Sequence, residues 1–293
     1  MTKILPKNPS KEKGQTVLII LLIMAVLLTI VLSVASRTVT DVKISQQTQE
    51  SARALWVAQA GLEQAMKANV SISEQELGDT GISYQVEKRV LGGGPELVFP
   101  QRINADESVT LWLVEHDQET GAINSDTHYP KTGSLTFYWS ESRESLSGDD
   151  IPALEATVIY LDTSSPTRQF RSRKFVFEPY LGRTPATNFV DVSSRGGGTV
   201  AGKTFSYSST TVDLGTLPSI HIPYLARIRV LFSPAPQAVG VRGGSALPSQ
   251  GNCFEAIATV VESGITRKPT QCNLWKVTPQ IFDYLLFSSE TIQ

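Results

Sequence analysis

From Thr16 to Ser36 the chain reads TVLIILLIMAVLLTIVLSVAS, 21 residues without a charge and with only Thr16, Thr29, Ser33 and Ser36 polar. An α-helix needs about 20 apolar residues to cross a ~30 Å hydrocarbon core, whereas the apolar part of a secretory signal is about 7–15 residues long. The stretch therefore predicts a membrane-spanning helix. Helical character continues past it. No Pro or Gly occurs from Gln15 to Ala60, and Ala52, Leu55, Trp56, Gln59, Leu62 and Met66 recur at i, i+3, i+4 spacing. One helix over residues 15–69 follows, a rod of about 80 Å, so its distal half must pack on something outside the membrane.

Beyond Val70 the period changes from 3.6 to 2. Leu135-Thr136-Phe137-Tyr138-Trp139 and Ala226-Arg227-Ile228-Arg229-Val230-Leu231-Phe232 each keep one apolar face, as half-buried strands do. Similar runs fall near 82–90, 108–116, 153–161, 168–178, 204–213 and 253–262, between clusters of Gly, Pro, Ser and Asp. The predicted class is α+β: a long amino-terminal transmembrane helix, then a mostly antiparallel β-rich region over 70–293. That region is read as one or two subdomains, with breaks considered at 140–152 and 193–202. No fixed-period repeat argues for a propeller or solenoid.

Composition narrows the functions. A 41% hydrophobic content excludes wholesale disorder, and a formal charge of -2 gives no overall basic field for coating nucleic acid. Two cysteines and three histidines leave little for a zinc module or an iron–sulfur site. No cofactor is implied. Ahead of the span, Lys3, Lys7, Lys11 and Lys13 outweigh Glu12, while only Arg37 and Lys43 follow closely, so the positive-inside bias puts the amino terminus in the cytoplasm and the β region outside.

These residues resemble a family. A Lys-bearing leader, residues 1–14, ending in Lys13-Gly14, then Gln15-Thr16-Val17-Leu18-Ile19-Ile20 opening an uncharged helix through Leu22, is similar to the class III signal of type IV prepilins and type II secretion pseudopilins. Arg53-Ala54-Leu55-Trp56-Val57-Ala58-Gln59-Ala60-Gly61-Leu62-Glu63-Gln64-Ala65 resembles the helix-end segment R-A-x-x-A-x-A-G-x-x-x-A of PilX-type minor pilins, with Ala54, Ala58 and Gly61 among the helix positions it marks. The resemblance covers about residues 11–68. It implies cleavage after Gly14 by a membrane aspartyl protease, the prepilin peptidase, and methylation of Gln15. It also implies assembly with other pilin or pseudopilin subunits through the helix, as a cytoplasmic ATPase drives extrusion from the inner membrane into a surface filament.

Three positions depart from the family pattern. Gln15 stands where Phe is usual, Ile19 where an intramembrane Glu is usual, and Ser36 where major pilins carry a helix-kinking Pro. Without the Glu, Ile19 cannot neutralise a neighbour's amino group, which points to a tip position, as in the K-type minor pseudopilin. The stretch from Tyr224 to Ser289 resembles the carboxyl ends of bacterial proteins that begin with this type of helix, and that implies no activity.

Other motifs are weaker. Gly197-Gly198-Thr199-Val200-Ala201-Gly202-Lys203-Thr204 satisfies G-x-x-x-x-G-K-[ST], yet the β-rich Phe205-Ser206-Tyr207-Ser208 follows where a phosphate-holding helix is required. His116, His128 and His221 have no metal spacing and are expected at the surface. Asp117, Glu119, Gly121, Asn124 and Asp126 lack the ordered calcium-loop spacing and read as a polar turn, so no metal site is predicted. Arg168, Arg171, Arg173 and Lys174 interleave with Phe170, Phe175 and Phe177, a pattern that tracks nucleic acid but reads more simply as a strand with a solvated face. The leader holds four Lys and one Glu, so its removal takes the formal charge from -2 to -5 and weakens the DNA reading. No catalytic residue is identified. Cys253 and Cys272, the only cysteines, are expected to form a disulfide on the oxidising side of the membrane.

The expectation is thus a structural subunit, not an enzyme, whose partners are other subunits, the prepilin peptidase and the bilayer. DNA or a surface ligand has no motif in its favour. The rival expectation is an anchored surface-binding or adhesion domain that never polymerises.

Overall fold

The computed structural model describes residues 13–78, 80–105, 107–141, 146–164, 169–183, 189–217 and 221–277. One helix, α1 (Lys13–Ala68), precedes the strands. These are β1 (Ile72–Glu76), β2 (Ile82–Leu91), β3 (Glu96–Val98), β4 (Ser108–Trp112), β5 (Val114–His116), β6 (Ile123–His128), β7 (Ser134–Glu141), β8 (Ala153–Asp162) and β9 (Gln169–Glu178). Then follow β10 (Val190–Asp191), β11 (Gly198–Val200), β12 (Lys203–Ser208), β13 (Val212–Asp213), β14 (His221–Leu231), β15 (Val239–Gly243), β16 (Gly251–Val260), β17 (Thr266–Arg267) and β18 (Thr270–Leu274). A long apolar amino-terminal helix followed by a mostly antiparallel β region is therefore observed. Helix α1 runs unbroken through Ser36, where no proline removes a backbone donor.

The chain divides into two compact units. The first holds α1 as far as Glu63 together with Ser73–Gln85 and Ala256–Pro269. Its strand segments run in the order β1-β2-β16-β17, with Ala258 opposite Arg267 and Thr259 opposite Thr266. Within this unit Ala54, Val57, Ala58 and Leu62 are buried on the helix, and Ile82, Tyr84, Ala256, Ala258 and Val260 on the strands. The small helical residues suit close approach of a helix to a sheet. Arg267 Nε donates to Ser51 Oγ at 2.8 Å, and Arg53 donates to the Thr80 carbonyl at 3.3 Å.

The second unit holds 64–72, 86–255 and the strand β18. Two sheets share its core. One is ordered β10-β9-β8-β14-β4, the other β11-β12-β7-β15-β3 with β13 on β7. Among the described residues the strand pairings of these two sheets are antiparallel except β10 on β9, where Val190 lies opposite Phe177 in parallel register. Alternate residues fill one hydrophobic core: Leu135, Phe137 and Trp139 from β7, Leu154, Ala156 and Val158 from β8, and Ala226, Ile228 and Val230 from β14. The result is sheet-on-sheet packing of the sandwich type. Trp139, fully buried, donates its indole N–H to the Pro152 carbonyl at 2.7 Å, so its one polar atom is satisfied. The segments 140–152 and 193–202 both lie inside this unit, in the β7–β8 connection and around the β11–β12 hairpin respectively.

Candidate functional site

The most unusual surface is the first half of α1. Every large apolar side chain from Val17 to Val34 is at least half exposed, Ile19 at 51% and Leu22 at 60%. None of the most apolar window is buried within the structure, and by length and composition this is a candidate membrane span. Its polar atoms make few demands on a solvent. Thr29 Oγ1 donates to the Val26 carbonyl at 2.7 Å, and Thr38 Oγ1 to the Val34 carbonyl at 3.0 Å, the internal pairing that hydroxyls adopt on helices in lipid. Gly14 and Gln15 lie in the first turn of α1, and residues 1–12 of the leader fall outside the described residues.

Further along, the buried stripe differs from the expected one. Ala54, Val57, Ala58, Gly61 and Leu62 are buried, whereas Ala52 and Gln59 are exposed and Trp56 is 70% exposed. The spacing of large residues suggested a face through Trp56. Of that face Leu62 is buried and Leu55 and Met66 are half-buried, but the stripe is turned toward Ala54, Val57, Ala58 and Gly61, where the small residues admit a close neighbour that the indole would hold off. The helix ends at Ala68 because Asn69 adopts φ 55°, a left-handed cap, and the Val70 amide then donates back to the Ala65 carbonyl at 3.2 Å. This is a Schellman arrangement.

Cys253 and Cys272 face each other as opposed residues of β16 and β18, their sulfurs 2.03 Å apart. The bond closes a 19-residue separation that contains β17.

The phosphate-loop-like segment is a β-hairpin, β11 to β12, turning through Ala201 (φ 45°) and Gly202 (φ 80°), the two positive φ values a two-residue hairpin turn requires. No helix follows it. Groups that would cradle phosphate are engaged elsewhere: the Ala201 amide donates to Glu96 Oε2 at 2.6 Å, and Lys203 Nζ lies 3.1 Å from Glu141. The Ala201 amide and Arg242 hold the Glu96 carboxyl below its usual range.

The basic strand is similarly neutralised. Arg171 pairs with Asp162 at 2.9 Å, Lys174 with Glu155 at 3.1 Å, and Arg173 donates to the Thr216 carbonyl at 3.0 Å. Phe177 is buried and Phe170 packs edge-on to Tyr224, so the aromatics are not a free stacking row. Arg168 lies outside the described residues.

Two histidines correct the surface expectation. His116 and His221 are buried, and only His128 is partly open. His116 stacks on Trp275 at 5.3 Å and meets Trp112 edge-on at 4.6 Å, and burial in this aromatic setting pushes its pKa down. Asp117 accepts from the Thr120 amide and hydroxyl at 2.7 Å each and from the Glu119 amide at 3.1 Å. These bonds hold its carboxyl below the usual range, and it serves the β5–β6 turn rather than a cation. Among the described residues no group of three or more His, Cys, Asp or Glu is placed to hold a metal.

A groove of about 680 Å³ opens in the second unit. It is bounded by the end of α1, the 118–121 turn and the β16–β18 pair. Asn69 organises one wall: its Nδ2 donates to the Gln118 carbonyl at 2.7 Å, and its Oδ1 accepts from Asn252 Nδ2 at 3.3 Å. Gln118 Nε2 in turn donates to Ser249 Oγ at 2.7 Å, and the Trp275 indole donates to the Ser249 carbonyl at 2.9 Å. Three segments distant in sequence thus meet through carboxamides, which no local sequence signal announced. Compared with known proteins, the chain matches no family model and no curated sequence.

Proposed function

We propose that this protein is a membrane-inserted assembly subunit of a type IV pilus-like or type II secretion-like filament, a minor pilin or pseudopilin, and not an enzyme. One observation carries the reading. A single uninterrupted helix presents an uncharged, fully exposed apolar half, and its other half is built into a folded β region. Lipid satisfies the first half while the subunit waits, and neighbouring helices of like chemistry replace lipid when it assembles. The lysine-rich leader supports a cytoplasmic amino terminus and an outer β region.

Ile19 supports a tip position. A charge at that place would be expensive in lipid without a partner, and Ile19 neither bears the charge nor supplies it to a neighbour. Gold-labelled antibody to the β region should therefore mark filament ends or short basal assemblies, and labelling spaced along shafts would reject the tip assignment alone.

The decisive experiment is intact-mass and amino-terminal analysis of the membrane-extracted chain. A mature protein beginning at a methylated Gln15 is expected. One still beginning at Met1 in cells with an active prepilin peptidase would favour the rival reading, an anchored surface domain that binds a ligand without polymerising. The carboxamide groove is the observation in that reading's favour.

A further inference from the structure

Strand β9 is covered along one side only. β8 pairs with it from Gln169 to Phe177, whereas β10 meets it only at Phe177 and Glu178. The Val192 amide donates to the Glu178 carbonyl at 3.0 Å, so the peptide groups of Glu178 face the β10 side. Alternate residues of an antiparallel strand share a side, which places the amides and carbonyls of Phe170, Ser172, Lys174 and Val176 along the same edge. Among the described residues no strand lies opposite them. The stretch from Gln169 to Val176 is exposed or half-buried throughout. An open edge of this kind is a template for a further strand.

Proteins commonly guard such an edge with charge. Here the guard is neutralised by the sheet itself, since Arg171 pairs with Asp162 and Lys174 with Glu155, both on β8. Arg173 donates to Thr216 and has no carboxylate partner among the described residues. The edge also adjoins apolar surface. Phe170, 54% exposed, is in register with Leu161 of β8, which is in register with Ile222 of β14, and Tyr224 meets its ring edge-on at 4.9 Å. Arg171 and Arg173 belong to the other face, opposite Tyr160 and Val158 of the core.

The chain carries a segment of matching chemistry beyond the described residues, Ile281-Phe282-Asp283-Tyr284-Leu285-Leu286-Phe287, bounded by Pro279 and by Ser288-Ser289. It is rich in strand-forming residues, and its seven positions match an open edge of eight. With Phe282, Tyr284 and Leu286 beside Phe170, the alternation of a strand puts Asp283 on the face of Arg171 and Arg173, where one cation lacks a carboxylate. The reach is also sufficient. Trp275 stacks on His116, and from there Trp112, Tyr224 and Phe170 follow in ring-to-ring steps of 4.6, 6.0 and 4.9 Å. The six residues from Trp275 to Ile281 span up to about 20 Å when extended, enough to bring the segment to the Phe170 end of the edge.

We propose that Ile281–Phe287 of this chain adds to the open edge of β9 as a further strand of its sheet. The inference rests on neither reading of the amino-terminal helix.

The test is hydrogen–deuterium exchange of the full chain in detergent micelles, resolved to single residues and repeated at several protein concentrations. The amides of Ser172 and Lys174 should be protected, equally at every concentration. Tyr284→Pro, which removes a ladder donor from the segment, should speed their exchange at least about tenfold while the amides of β8 stay protected. Arg173→Glu should speed it less, and adding Asp283→Arg should restore the parental rate; this pair is independent of how Tyr284→Pro folds. Ser172 and Lys174 amides that exchange in the full chain as fast as an unstructured peptide would overturn the proposal. So would protection that survives in folded Tyr284→Pro, or a double variant no better protected than Arg173→Glu alone. Protection lost on dilution would also overturn it, giving the edge to a second copy of the chain. Amino-terminal processing is read separately, so failure here leaves the filament reading standing, and the converse holds.

Discussion

The two halves of α1 are equally helical and joined without a break, but they keep their apolar residues for different neighbours. Between Val17 and Val34 large side chains point outward in every direction and none of the described residues covers them. Between Ala54 and Leu62 the buried positions, Ala54, Val57, Ala58, Gly61 and Leu62, are confined to one stripe, and the bulkiest residue there, Trp56, is 70% exposed. Hydrophobicity alone does not distinguish these regimes. Angular distribution does: apolar all round calls for an apolar environment, whereas a narrow stripe calls for one neighbour, which its Ala and Gly positions let come close.

The same substitution placed in each half should separate them most strongly. Ala58→Arg puts an unpaired charge in a fully buried position and should destabilise the folded β region by roughly 3–5 kcal/mol, seen as a lowered thermal or denaturant midpoint. Val26→Arg should leave that midpoint unchanged. Its penalty of about 2.5–3.5 kcal/mol belongs to membrane insertion and should appear as a shift from the membrane pellet to soluble or aggregated fractions. Equal effects of the two variants on the melting midpoint would mean that the first half of the helix packs on protein after all.

Removing the disulfide tests the β side alone. Cys253→Ser with Cys272→Ser opens a 19-residue separation and should lower stability by about 3 kcal/mol on the chain-entropy account, without altering the membrane-bound fraction. A double variant that melts with the parent would show that β16 and β18 are held together fully by their ladder.

A smaller effect is expected of Ile19→Glu, which introduces the charge usual at this place in type IV prepilins. By the filament reading it gives the subunit a group able to meet a neighbour's amine, so label should begin to appear within shafts as well as at ends. Its lipid penalty is shared with water near the cytoplasmic face, so membrane association should be largely retained. Label that stays at the ends would show that the bulk of the β region, rather than residue 19, fixes the position.

How much of this was legible depended on whether the information was local. Helix α1 was, since no Pro or Gly interrupts it from Gln15 to Ala60, and its end near Asn69 matches a residue type that tolerates left-handed φ. Strands buried on alternate residues, such as β2, β7 and β14, announced themselves by period 2. Polar edge strands did not: Ile72-Ser73-Glu74-Gln75-Glu76 and Thr270-Gln271-Cys272-Asn273-Leu274 have little to bury and read as loops. The groove was illegible for a different reason. Asn69, Gln118 and Asn252 are separated by 49 residues or more, and only the paired sheets bring them together. His116 likewise gave no sign of burial, because the tryptophans that enclose it include Trp275, far along the chain.

That buried imidazole provides the finest test of the contrast. His116 has its pKa lowered by burial from the ordinary 6.5, so the fold prefers the neutral ring while the unfolded chain protonates near the ordinary value. The stability it contributes is complete above pH 6.5 and is lost as pH falls from there toward the folded-state pKa. The lowered carboxyls of Glu96 and Glu141 act the same way, but only once the pH drops below the carboxylate value of 4.5. Between pH 7 and 5 the β region should therefore melt progressively earlier, and His116→Phe, which keeps an aromatic ring between Trp112 and Trp275, should flatten that slope without changing the midpoint at pH 8. Residues 16–36 contain no titratable group, so membrane retention should be constant across the same range. A variant whose melting keeps the parental pH slope would assign the effect to groups other than His116, and retention that followed the slope would mean that the two halves of the helix do not act independently.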